Sequence, residues 1–217
     1  MYLPKIQPIS FTITNLLKFF SFLSPFLITF FMIMTSVFNN KIVKGLIFTI
    51  GLVITTFINY LLKNTLKEKQ REDASPLCNV IPFPFKVSGI DANGNGNGII
   101  YSSPGLSSTL LGYTAGYLIF PMKINNQINP SLLVFLIALL GINATVEVYD
   151  KCTSIGGVLL GTVLGIILGI LYYGVISING YRDLAYFSEV SSNRTICNKP
   201  TKQKFKCTTY KRGERVN

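Results

Sequence analysis

Long apolar runs alternate with short polar stretches along this chain. The first run covers residues 11–38 and is interrupted chiefly by Asn15, Lys18 and Pro25. The turn Asn39-Asn40-Lys41 separates it from a second run, residues 42–62, with no charge after Lys44. A third and less apolar run, rich in Ser, Thr and Gly, covers residues 99–120. A fourth covers residues 131–148 and a fifth residues 155–178. About 20 helical residues, rising 1.5 Å each, cross a hydrocarbon core of roughly 30 Å. The pattern therefore predicts an all-α, polytopic membrane helical bundle with about five transmembrane helices. The first run is too long for a signal peptide and no A-x-A site follows it, so it reads as a retained span.

The intervening stretches are of two kinds. Lys63 to Asp73 is abruptly charged and helix-compatible, and is expected to continue the second helix out of the membrane. A loop follows, with prolines at 76, 82 and 84 and a Gly/Asn run from Asn93 to Gly98. Residues 1–178 thus form the bundle, and residues 179–217 a basic C-terminal tail. Five crossings put the loop 63–98 and the turn 149–154 on one side. The turns 39–41 and 121–130 lie on the other side with the tail. Lys and Arg are more numerous on the tail's side, a lean towards a cytoplasmic tail.

Composition sharpens this. Only 13% of the 217 residues are charged, about half the usual share in a soluble domain, and mean hydropathy is +0.44. Histidine is absent, which excludes Ser-His-Asp and Cys-His nucleophiles, histidine-ligated metal or haem, and imidazole acid/base chemistry. No cofactor and no metal site is expected. The formal net charge is +11. The tail holds nine Lys/Arg against three acids, so more than half of that charge lies there. Lys, Asn and Ile total 58 residues while Ala and Arg total 11, the skew of an AT-rich genome such as that of a parasite, a protist or a large DNA virus.

Four features carry candidate chemistry. Gly157, Gly161, Gly165 and Gly169 recur every four residues and form one helix stripe. Ser108, Gly112 and Gly116 form a matching stripe in the third run. Small residues let helix backbones approach closely where lipid removes the hydrophobic drive, so the two stripes are expected to pack together. Asp91-Ala-Asn93-Gly-Asn95-Gly96 matches half of an EF-hand loop. Its twelfth position is Ser102 rather than Glu, which leaves a flexible loop as the reading. Cys78 and Cys152 fall on one expected side and Cys197 and Cys207 on the other, so at most one pair is expected to be bridged in an ordinary cell. Asn143-Ala-Thr145 and Asn193-Arg-Thr195 match the glycosylation sequon.

The tail's Lys202, Lys204, Lys206, Lys211, Arg212 and Arg215 are interleaved with Phe205 and Tyr210. They suit a protein partner or anionic lipid headgroups, with nucleic acid less favoured.

The layout from Lys63 to Gly169 resembles the membrane phosphatidic acid phosphatase type 2 (PAP2) superfamily. That family carries K-x6-R-P after a span, P-S-G-H at the start of the next, and S-R-x5-H-x3-D across a later turn. Here Lys63-x7-Arg71 is followed by Glu72. Ser103-Pro-Gly-Leu106 opens the third run. Ile142-Asn143, Tyr149 and Thr153 fall at the third motif. In the family the basic residues hold phosphate, one histidine attacks phosphorus and the other protonates the leaving group. Leu106 and Tyr149 occupy the histidine positions, so the resemblance implies the fold without the catalysis. It also implies a vestigial site for a lipid phosphate at Lys63, Lys67 and Arg71. Ser102, Ser103 and the backbone N–H groups from Gly105 to Ser107 would complete it at a helix N-terminus.

The expectation is a non-catalytic structural or interaction protein of a membrane. One concrete form is a protein of a virion internal membrane linking bilayer to coat or core. A small transporter, channel or lipid scramblase is the alternative, and requires polar groups inside the spans.

Overall fold

The computed structural model describes residues 12–71, 73–75, 78, 88–89, 99–185, 187, 190, 209–211 and 214–216. Five long helices dominate: α1 (Ile13–Phe38), α2 (Ile42–Leu66), α3 (Leu106–Ile124), α4 (Pro130–Tyr149) and α5 (Ile155–Ile178). A single turn, α6 (Arg182–Ala185), follows. Two small antiparallel pairings complete the fold, Ser88–Gly89 with Ile99–Ile100 and Thr209–Lys211 with Glu214–Val216.

Helices α1, α2, α4 and α5 are each long and apolar enough to cross a membrane. Their outer faces carry exposed Phe30, Phe31, Val53, Phe135, Leu159 and Leu171, among others. An apolar surface of that extent is stable in lipid and not in water. This is the arrangement of an integral, multi-pass membrane protein.

Helix α3 is different. Fourteen of its nineteen residues are buried, against three of twenty in α4. It is the central helix, and the others wrap it. That explains its low hydropathy: side chains that meet protein rather than lipid need not be uniformly apolar.

The α3–α5 contact is backbone on backbone. A Cβ at Gly112 would lie 2.5 Å from the Thr162 carbonyl oxygen, and one at Gly161 2.8 Å from that of Gly105. Gly116 faces Ile166, Gly165 faces Thr109 and Gly169 faces Tyr113 in the same way. The paired numbers rise together, so α3 and α5 run parallel. The two glycine stripes therefore meet as expected. Ser108 does not join them, because its hydroxyl turns to α4.

The far half of the bundle is aromatic. Tyr113, Tyr117 and Tyr173 pack with Phe48 and Phe187, and Tyr113 donates its hydroxyl to the Phe48 carbonyl at 3.1 Å. Gly51 leaves the room that Tyr172 fills.

Several boundaries differ from the expected ones. The second helix stops at Leu66 rather than running on through the charged stretch. Lys67 adopts a left-handed conformation (φ 50°), and Lys69 then bridges to Tyr101. The third helix starts at Leu106, not Ile99. Ile99 and Ile100 are extended, and the Pro104-Gly105 pair delays the first turn. The first part of the expected tail is not free, since Ala185 and Phe187 are buried and close the end of the bundle. Helix α5 matches its expected limits, with the Ser154 hydroxyl capping the Gly157 N–H at 3.1 Å.

Candidate functional site

The N-terminus of α3 leaves backbone N–H groups without helical partners. Glu147, near the end of α4, supplies the acceptor. Its carboxylate accepts the Ser108 N–H at 3.2 Å, the Ser108 hydroxyl at 2.9 Å and the Ser107 hydroxyl. Asn143, one turn earlier on α4, donates its amide to the same carboxylate and to Ser108, each at 3.2 Å. The Ser21 hydroxyl of α1 donates to the Asn143 side-chain amide oxygen at 3.3 Å. The Lys63 ammonium of α2 attracts the Glu147 charge. Glu147 is only 2% exposed. A bare carboxylate at that depth would be costly, but one with several donors and a cation is tolerated.

A second layer surrounds this centre. Asn59 of α2 donates to the Thr109 hydroxyl at 2.8 Å, tying α2 to α3. Lys18 of α1 forms an ion pair with the buried Asp150, and its ammonium lies 4.8 Å over the Tyr149 ring. The Thr153 hydroxyl is buried without a hydrogen-bond partner, beside Ser103 and Gly157. Polar side chains from α1, α2, α3 and α4, with the α4–α5 turn, thus converge at one end of the bundle.

Residues 73–75 and Cys78 cross over that turn. Cys78 is disulfide-bonded to Cys152, with Cα atoms 5.4 Å apart. The Ser75 N–H donates to the Asp150 carbonyl at 3.0 Å, and Lys151 pairs with Asp73. The Lys151 hydrogen bond holds the Asp73 carboxyl below the usual carboxylate range. Of the two expected cysteine pairs, the one on this side is bridged. Cys197 and Cys207 lie outside the described residues.

The expected anion site has another arrangement. Among the positions expected to hold a lipid phosphate, the Gly105 N–H donates to the Gly157 carbonyl at 3.1 Å and the Ser107 hydroxyl donates to Glu147, as does the neighbouring Ser108 N–H. An internal carboxylate, Glu147, thus lies at the N-terminus of α3. Ser102 donates its N–H to the Glu68 carbonyl at 2.9 Å. Ser103 is buried beside Gly157, Lys63 is half-buried near Glu147, and Lys67 and Arg71 are exposed.

The expected EF-hand positions Asp91 to Gly96, the second sequon at Asn193, and Lys202, Lys204, Lys206, Arg212 all fall outside the described residues. The side chains of Lys211 and Arg215 are undescribed as well. The first sequon's Asn143 is 1% exposed and spent on the cluster. Leu106 packs on the apolar core, while Tyr149 is exposed on the outer face.

Glu147 is not among the candidate residues read from the sequence. The available signal was Asn143 and Glu147 at i and i+4 in an otherwise apolar run. That spacing puts both on one helix face, and an ionisable residue inside a span is a site candidate by default.

Compared with family models, curated proteins and solved structures, this chain matches none.

Proposed function

We propose that this chain is a non-catalytic, five-pass membrane scaffold that holds a partner through its basic tail. The observation that carries the reading is the α3–α5 seam. Two helices joined backbone to backbone at five glycines form a close, fixed contact. The seam also supports five crossings, because α3 runs beside α5 from Gly161 to Tyr173.

The resemblance to PAP2 proteins enters as part of this proposal. Lys63, Ser103, Asn143 and Thr153 come from the three motif positions and lie at one end of the bundle, as such a fold requires. Leu106 and Tyr149, at the histidine positions, offer no phosphoryl nucleophile and no proton donor to the cluster. A pseudoenzyme in a virion internal membrane, docked on a coat or core protein, is one concrete form.

Cross-linking in the native membrane tests the reading. Cross-links from residues 195–217 to one abundant protein support it. Phosphate release from phosphatidic acid by the pure protein, above an empty-liposome blank, would overturn it. Retention of anionic lipid that falls when Lys63, Lys67 and Arg71 are changed to Ala would support the vestigial lipid-phosphate site.

A second reading rests on Glu147. Its buried carboxylate beside Lys63 supplies the intramembrane charge that a transporter or scramblase needs. Ion flux or lipid scrambling in liposomes that Glu147→Gln abolishes would favour it.

A further inference from the structure

The helix ends sort into two groups. Ser21 near the start of α1, Lys63 near the end of α2, Ser108 at the start of α3 and Glu147 at the end of α4 meet in the polar cluster. The α4–α5 turn lies with them, because Asp150 pairs with Lys18 of α1. At the opposite end, the Lys44 ammonium of α2 lies 5.9 Å from the Phe187 ring. There Asn129, before α4, also donates its side-chain amide to the Val190 carbonyl at 3.0 Å. The chain leaves the bundle at that end. Residues 191–217 hold no apolar run long enough to cross lipid, so the side that receives Val190 receives the tail.

Charge close to the spans does not tell the two sides apart. Lys63, Lys67, Lys69 and Arg71 lie at or beyond the end of α2, on the side of the cluster. Lys41, Lys44, Lys123 and Arg182 lie at helix ends on the side of the tail. Basic residues thus flank the spans at both ends, and the positive-inside rule has no clear asymmetry to read there. The disulfide does separate the sides. Cys152 stands in the α4–α5 turn, two residues after Asp150, so the Cys78–Cys152 bond belongs to the cluster end. Structural disulfides form and persist in oxidising compartments, whereas cytosolic thiols are kept reduced.

We infer that the cluster end of the bundle faces the oxidising side of the membrane, and that the turns 39–41 and 125–129 and the tail face the cytosol. The bundle has two distinct ends, so one bond at one end assigns both. Cys197 and Cys207 then sit in reducing surroundings and remain thiols. With the tail-docking reading above, this places the tail's partner in the cytosol. Without that reading the sidedness still stands, because it depends on the bond and the helix ends alone.

Sealed microsomes test this, because their cytosolic face is outward. The full chain, expressed in a eukaryotic host, is treated without reductant with a maleimide-linked polymer that cannot the membrane penetrate. Two additions are expected, at Cys197 and Cys207. Detergent alone should add no more. Detergent with reductant should raise the count to four, by opening Cys78 and Cys152. The double variant Cys197→Ser, Cys207→Ser should take no label until detergent and reductant are both present. Tail labelling that needs detergent or reductant would overturn the assignment. So would label at Cys78 or Cys152 before reduction. Tail labelling from outside, with no protein cross-linked to residues 195–217, would uphold the sidedness and overturn the docking role instead.

Discussion

The Glu147 carboxylate accepts the Ser108 backbone N–H at 3.2 Å, so a charge carried by α4 caps the N-terminus of α3. Helix N-termini favour anions, and here the anion is part of the chain. Glu147 thereby ties the end of α4 to the first turn of α3, beside the Asn143–Ser108 hydrogen bond.

Glu147→Gln tests that role. The amide keeps the shape but turns two donors towards the donors of Ser107 and Ser108. Leaving a buried hydrogen-bonding group unmatched costs about 1–3 kcal/mol. Thermal unfolding in detergent should show a lower midpoint for Glu147→Gln. Asn143→Leu should lower it by less, because hydrogen bonds between membrane helices average about 0.6 kcal/mol.

Two glycines offer a matched pair of substitutions. A Cβ at Gly165 would meet the Thr109 and Tyr113 backbone, whereas at Gly141 nothing lies within 4 Å. Gly165→Val should destabilise by about 1–3 kcal/mol or prevent folding, since overpacking a tight contact forces backbones apart. Gly141→Val should be near neutral in the same assay. Equal loss at both positions would remove the seam as the source of rigidity.

The Asp73–Lys151 ion pair has a defined pH window. Asp73 titrates lower in the folded protein than in the unfolded chain because Lys151 hydrogen-bonds its carboxylate. Its contribution is therefore present above the unfolded value, about 3.9, and is lost as pH falls through the folded value. Exchange at 147–153 in the oxidised protein should stay constant from pH 8 to about pH 5, after correction for intrinsic rates. Below about pH 4 it should rise in the wild type, and not in Lys151→Ala.

The sequon at Asn143 should carry no glycan. Its side chain is inside the bundle, bonded to Glu147 and Ser108. Glycosidase treatment should leave the mass of peptides containing Asn143 unchanged, in any host that glycosylates.

Much of the fold was legible because lipid imposes a simple rule on sequence. Helix α5 could be read to the residue, since Ser154 caps it and its apolar run has no gaps. The glycine spacing gave the α3–α5 contact, because only small residues permit it. The start of α3 was hidden because Ile99 and Ile100 are as apolar as helix residues, and only Pro104-Gly105 marks the break. The centre of the site was hidden for a related reason. One carboxylate in a run of eighteen apolar-rich residues barely changes its average, yet it organises the packing around it. The fold-back of Ala185 and Phe187 left no sequence signal beyond a short apolar run, Leu184 to Phe187, in a polar stretch.

The central position of α3 also bears on how the chain is made. This helix is not among the four that are apolar enough to cross a membrane by themselves. Its cover on one flank is α5, which is synthesised later. Entry of α3 into lipid ahead of α5 would expose its serines, threonines and glycine backbone to hydrocarbon. In the proposed five-pass arrangement, insertion of α3, α4 and α5 as one unit would avoid that intermediate, so the least lipophilic of the long helices would enter with its cover already beside it.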